Sequence, residues 1–496
     1  MPGLGTGTRE RLGLAGLAAV LLLGYGLVTR HGPALADEYV YLAGARHFAL
    51  TGSLDARFYD AQAILLRGHP HQDVHSPGYV ILLGFLMSLV RGGYRTAVAL
   101  NIAAYLASAL LVHQLARGLG FGGRAARCSG ALYLILPAYL PFVFWAMPEA
   151  ILGMLFLGAL VLAVRWGDRA AGAVLAGLVL GLGFLVRESF AFGALAAMAI
   201  LRDRGKLRPF LATLALCIVL VHLPLSRDRA PGGVNFWADP PATAKPGGFA
   251  AVHAAQRGDL SRAFALGWDR LRSNVRRTSE ATATEKGILA LFILLPLWAL
   301  AGHRAGGPLA RRFLLGLAAG WAALLVCLLF LFVVGRWAGF RYLMFLMPGF
   351  LPWAGRTLEV PGPAFGRWAF PAATALACLT LDASVLEIHN QYKASRQQRQ
   401  ERLSGYVERY IGARPLTRVA LPDGWGFGLR HYPAEVISSL PEGGGQLRAL
   451  ERAVWFDYLV LPGDSPLADE WDGRLRYLRV NRDDPEPPLK IYRRLR

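Results

Sequence analysis

From Leu12 to Leu381 the apolar residues come in repeated blocks of 15 to 23, and nothing else in the chain narrows its fold so far. A helix needs about 20 apolar residues to cross a hydrocarbon core of about 30 Å, and lipid offers no water to an irregular backbone. Blocks of this length and number describe an all-α polytopic membrane domain. Composition agrees: of 496 residues, 54% are hydrophobic and 17% charged, where soluble domains carry about 25% charge. A soluble enzyme, a disordered chain and a fibrous protein are excluded.

Eleven spans are expected, at 11–29, 96–116, 126–145, 149–165, 170–186, 189–201, 208–225, 287–302, 312–334, 341–355 and 366–382. The span at 189–201 is short, as a broken or tilted helix would be. The block 77–91 opens with Pro-Gly and is too short to cross, so it is expected to lie at the interface or re-enter. The short loops then place 16 basic residues against four acids on one side, which marks the cytoplasmic face. Loops 30–95 and 226–286 and the tail from 383 fall on the other. Arg9 to Ala36 has the outline of a cleavable signal peptide, but its apolar run is long for one, so retention as the first span is expected.

The formal charge of +20 divides unevenly. Residues 383–496 hold 18 basic and 15 acidic side chains, a net of +3, and the first 382 hold 35 and 18, a net of +17. Basic charge beside apolar spans orients helices and meets anionic headgroups, so membrane lipids rather than nucleic acid are the expected partners. Cys128, Cys217, Cys327 and Cys378 all lie within apolar blocks without paired spacing, as small core hydrophobes do.

Residues 1–382 are thus read as the membrane domain and 383–496 as a small α/β domain outside the cytoplasm. In the tail, Gln391 to Tyr410 has helical spacing, and the runs at 417–422 and 456–462 stop at proline as buried strands do. Leu475 to Val480 and Lys490 to Leu495 form a closing strand pair. The chain contains no internal repeat.

Carboxylates near hydrocarbon are costly, so their positions carry information. Asp37-Glu38 follows the first span directly, and Tyr41, Ala45 and Phe48 continue at helical spacing. Asp37 is either a helix cap or a general base at the membrane surface. Glu149 opens a span on the outer face, where a helix-dipole partner is the plainer reading. Arg187-Glu188 lies between two apolar blocks on the same face. Arg336 and Arg341, followed by Tyr342, stand at an outer boundary, either snorkelling to headgroups or gripping a phosphate. Segment 259–277 has the pattern of a basic interfacial helix. In an extended chain His69, His71, Asp73 and His75 project to one side, which suits either a divalent metal or a polar loop.

Taken in order, Asp37-Glu-Tyr-Val-Tyr-Leu-Ala, Gly52 and His75-Ser-Pro-Gly-Tyr-Val-Ile-Leu-Leu resemble the first outer loop of the GT-C-type membrane glycosyltransferases. That group includes the protein O-mannosyltransferases and the lipid A aminoarabinose transferases. Pro148-Glu149, Arg187-Glu188 and Arg341-Tyr342 are similar to its outer-face acid, Arg-acid turn and Arg-Tyr pair, so the resemblance covers most of 10–356. Two departures bear on the subfamily: Ser76-Pro77 replaces a paired proline, and Glu149 stands where some members carry Asp.

The resemblance implies a polyprenyl-phosphate sugar donor, a glycan, lipid or protein acceptor, and inverting transfer outside the cytoplasm. By the same resemblance Asp37, Glu38 and Glu149 are the catalytic acids. Arg341, Arg336, Tyr342 and Arg187 hold the donor phosphate, and Tyr41, His75 and Glu188 line the substrate. No nucleotide cofactor is expected, and a divalent metal stays open. The alternative is a transporter or lipid flippase, which favours charges midway along spans and repeated halves.

Overall fold

A computed structural model of the protein describes residues 6–32, 36–52, 54, 58–60, 77–90, 92–136, 139–222, 254–255, 258–302, 306–331, 341–357 and 376–394. In the tail it describes 406–407, 409–411, 418–421, 435–438, 444–453, 456–472, 477–481, 483 and 489–495. The chain divides into two compact units. The first comprises Met1–His31, Ala97–Ser226 and Asn235–His389, and the second Gly32–Thr96, Arg227–Val234 and Asn390–Arg496.

The first unit is helical. Its elements begin with α1 (Thr6–Val28); α2 (Ala36–Thr51) and α3 (Pro77–Val90) follow in the second unit. Next come α4 (Tyr94–Gly118), α5 (Gly123–Leu134), α6 (Tyr139–Val143), α7 (Glu149–Trp166) and α8 (Ala170–Val186). After the 3-10 turn Glu188–Gly193 come α9 (Ala194–Asp203), α10 (Leu207–Cys217), α11 (Leu260–Ser279), α12 (Ala283–Ala301) and α13 (Pro308–Leu331). Two 3-10 turns, Arg341–Leu343 and Met347–Phe350, lead into α14 (Leu351–Thr357), and α15 occupies 376–394.

Among the described residues four helices are long and apolar enough to cross a membrane: α4, α7, α12 and α13. Leu12–Val28, Ala170–Val186 and Leu207–Leu220 are shorter apolar helices at expected spans. Two expected spans are not continuous helices. The block 126–145 ends as α5 at Leu134 and restarts as α6 at Tyr139. The block 341–355 is a chain of 3-10 turns before α14. Proline is the physical reason: Pro137 and Pro141 in the first block, and Pro348 and Pro352 in the second, remove the donors a helix needs. The run 189–201 opens as a 3-10 turn before α9, so that segment is broken as its length suggests.

Small residues set the helix contacts. A Cβ at Gly316 would lie 2.6 Å from the Leu195 carbonyl oxygen, and one at Gly320 would lie 2.3 Å from that of Phe192. Gly177 and Gly181 meet Phe210 and Cys217 in the same way at 2.7 and 2.5 Å. Each pair has four-residue spacing, which brings two helix backbones together where the hydrophobic effect cannot drive them. Aromatic rings tie the centre: Phe156, Phe190 and Phe345 meet one another at 5.1 to 6.2 Å between centroids.

In the second unit α3 packs along α2. Tyr41 meets Tyr79 edge-on at 5.1 Å, and a Cβ at Gly84 would lie 2.6 Å from the Ala45 carbonyl oxygen. With 14 residues α3 extends about 21 Å, short of a bilayer core. The tail forms a six-stranded sheet in the order β1-β3-β2-β4-β6-β5. Strands β2 (Arg418–Ala420), β4 (Tyr458–Pro462), β5 (Tyr477–Arg479) and β6 (Leu489–Arg494) fall in the four expected runs. Strand β3 (Glu435–Ser438) and edge strand β1 (Phe58–Asp60) were not expected, and β1 comes from the segment between α2 and α3, pairing parallel to β3. Beside the sheet lie α16 (Gly444–Ala453) and α17 (Pro466–Asp472), which bury Leu447, Leu450 and Trp471.

Valine at Gly316 or Gly320 is expected to force α13 off α9 and cost about 1–3 kcal/mol, read as a lower denaturation midpoint of the purified protein in detergent. Valine at Gly158, which has nothing within 4 Å of its Cβ position, is the control and should leave the midpoint close to wild type.

Candidate active site

Three charged side chains from three elements of the first unit converge. Glu149 begins α7, where the helix N-terminus favours a carboxylate. Its side chain is only 2% exposed, and Arg187 donates to its Oε1 at 3.0 Å. Arg341 brings its Nε to 3.7 Å from the same oxygen. Both guanidinium groups also lie over the Tyr342 ring, at 4.8 and 5.4 Å from its centroid. Two guanidinium groups thus face one carboxylate oxygen. The second oxygen, Oε2, is buried and accepts no hydrogen bond among the described residues.

Local chain geometry explains the convergence. Asn101 on α4 donates to the carbonyls of Trp145 and Met147 at 2.6 and 3.1 Å. Those bonds hold the turn that delivers Pro148 and Glu149. On the other side of that turn the Trp145 indole N–H donates to His389 of α15, with the two rings stacked at 5.0 Å. Arg187 ends α8 in an extended conformation, φ −162° and ψ 127°, which breaks the helix there.

Beneath the charges the phenylalanine cluster fixes the three elements against one another. Phe156 is on α7 with Glu149, Phe190 is three residues after Arg187, and Phe345 is four after Arg341. Gly183 is required for this fit, because a Cβ there would fall 2.0 Å from the Phe190 ring. The Met344 carbonyl accepts from the Tyr139 hydroxyl, which ties the Arg341 turn to α6. Asn101 and the three phenylalanines were not singled out in the sequence. Only Asn101 carried a visible signal, as an amide within an apolar span.

Of the sequence candidates, Glu149, Arg187, Arg341 and Tyr342 come together. Glu188 follows Arg187 on the 3-10 turn but is exposed. The backbone of Asp37 lies in the first turn of α2, in the second unit, and its side chain falls outside the described residues. In that unit Glu38 is fully buried and acts electrostatically on buried Lys393, while Tyr41 is packed against Tyr79. Arg336, His69, His71, Asp73 and His75 lie outside the described residues. Among the described residues no three His, Cys, Asp or Glu side chains gather as metal ligands.

No family model and no curated protein matches the sequence. Solved structures do. ArnT from Cupriavidus metallidurans bound to undecaprenyl phosphate aligns with a TM-score of 0.59 at 15% identity, over 99% of this chain and 98% of that one. Its apo form gives 0.57 at 14%, over 98% of each chain. The archaeal oligosaccharyltransferase AglB from Archaeoglobus fulgidus, in complex with an inhibitory peptide and a dolichol-phosphate, gives 0.51 at 13%, over 90% of this chain and 69% of that one. At such identities the likeness is one of fold: the chain shares the fold of ArnT and AglB.

Proposed function

We propose that the protein is a glycosyltransferase that moves a sugar from a polyprenyl-phosphate donor to an acceptor hydroxyl at the extracytoplasmic face of the membrane. The observation that carries this reading is the pair of arginines, Arg187 and Arg341, gathered on buried Glu149 beside Tyr342. A lipid phosphate leaving group needs cationic stabilisation as its bond to the sugar breaks, and planar guanidinium groups suit phosphate oxygens. ArnT was solved with undecaprenyl phosphate and AglB with a dolichol-phosphate, which favours transfer over the transport alternative.

In this reading the acceptor oxygen attacks the anomeric carbon and the carbon–oxygen bond to phosphate breaks. The bonding pair leaves with the phosphate, and the sugar inverts at that carbon. Asp37 takes the proton from the acceptor hydroxyl. Arg187 and Arg341 hold the phosphate, assisted by Arg336 from the adjoining loop. The Oε2 of Glu149 accepts from a hydroxyl of the sugar or acceptor, while its Oε1 keeps the arginines in place. His75 and Glu188 are assigned to the substrate surroundings. A low local dielectric strengthens each of these contacts.

Asp37→Asn keeps the side chain's size and removes its basicity. It is expected to abolish the sugar modification in cells, followed by mass spectrometry, while the purified variant binds undecaprenyl phosphate like wild type. Full modification by this variant would remove Asp37 as the base.

Arg341→Ala and Arg187→Ala are each expected to weaken undecaprenyl phosphate binding by about 10- to 100-fold, the loss of one charge-assisted contact. Glu149→Gln has the opposite sign. It leaves the two guanidinium groups without their countercharge, so phosphate binding should tighten while transfer falls. Weaker phosphate binding in that variant would contradict the assigned role.

A further inference from the structure

Lys393 of α15 is 1% exposed, an unusual state for a residue whose ammonium prefers water. Its Nζ donates to the Tyr94 hydroxyl at 3.1 Å and lies 5.3 Å from the centroid of that ring. Glu38, fully buried on α2, is the opposite charge acting on it. All three residues belong to the second unit. A buried ammonium and a buried carboxylate are each costly alone, and each offsets the other when they are sealed in together. Glu38 lies in the first turn of α2 and Asp37 is the residue before it, so whatever fixes Glu38 fixes the backbone that carries Asp37.

We infer that Lys393 is a positioning residue for the transfer reaction: with Tyr94 it anchors Glu38, and through Glu38 it sets the helix turn bearing the proposed base Asp37. This rests on the reading of Asp37 given above. Glu38 is then a structural countercharge within the acidic pair, and the two neighbouring acids divide their work. Lysine reaches this place only because α15 continues beyond the apolar run that ends at 382.

The anchor has a pH signature. Burial pushes the Lys393 ammonium from 10.5 down to about 8, with Glu38 pulling the other way; the Tyr94 hydroxyl faces it as well. Between about 8 and 10.5 the unfolded chain therefore holds this proton and the folded chain does not. Linkage makes this group's contribution to stability rise with pH across that window. Activity moves the other way, because the anchor needs the charge.

Membranes of the native host, with their own donor and acceptor, supply the test, and the modified product is followed by mass spectrometry. Wild-type transfer should fall above about pH 8, and Lys393→Arg, whose guanidinium stays charged, should move that fall upward. An unmoved fall in Lys393→Arg overturns the inference. Lys393→Met should lose about 10- to 100-fold in rate, as misplaced catalytic groups do, yet bind undecaprenyl phosphate like wild type. Wild-type rate in Lys393→Met also overturns it. Should that variant fail to fold, the double variant Glu38→Gln/Lys393→Met removes both charges and is expected to fold but transfer slowly; a fast double variant is again contrary. Normal transfer by Asp37→Asn sinks the assignment of the base. An inactive Asp37→Asn beside wild-type behaviour of the Lys393 variants sinks only the anchor.

Discussion

A carboxylate buried between two guanidinium groups organises the first unit. Glu149 is at the start of a helix, Arg187 at the end of another, and Arg341 on a 3-10 turn, so one oxygen atom gathers three separate elements. Removing the carboxylate from such a buried set leaves charge uncompensated, typically at a cost of about 3–5 kcal/mol. The surrounding structure is built to prevent this. Asn101 and His389 hold the turn before Glu149 from two sides, and the three phenylalanines lock the elements beneath the charges.

A second buried charge arrangement, Glu38 with Lys393 and Tyr94, performs the same task in the other unit. The segment between α2 and α3 is bound to the tail there, because its strand β1 completes the edge of the tail's sheet. The two acids at 37 and 38 acquire distinct parts through this arrangement. One is sealed with a lysine, and the other is assigned to accept a proton.

Much of this was legible in the sequence for simple reasons. Long apolar blocks locate α4, α7, α12 and α13, since a bilayer imposes their length. Two tail strands were visible because proline ends an apolar run sharply, and two more as a closing pair of short runs. Residues Glu149, Arg187 and Arg341 were conspicuous because charge at an apolar boundary is rare. Less legible were the breaks after Leu134 and at 341–350, where proline within an apolar stretch still scores as a span. Strands β1 and β3, of three and four residues, carry too little pattern to stand out. The partnership of Glu38 with Lys393 was hidden by the distance between them in the chain: a lysine just past a span looks like any solvated residue. The glycine pairs at 177 and 181 and at 316 and 320 did carry a signal, in their four-residue spacing.

Sugar transfer from a lipid phosphate is most directly tested by comparing, by mass spectrometry, the glycolipids and glycoproteins of cells with and without the protein. The account predicts that one class of envelope molecule loses the mass of a single sugar unit while its polyprenyl-phosphate sugar accumulates. Identical glycan profiles, with only the sidedness of a lipid altered, would contradict it and return the chain to the transporters.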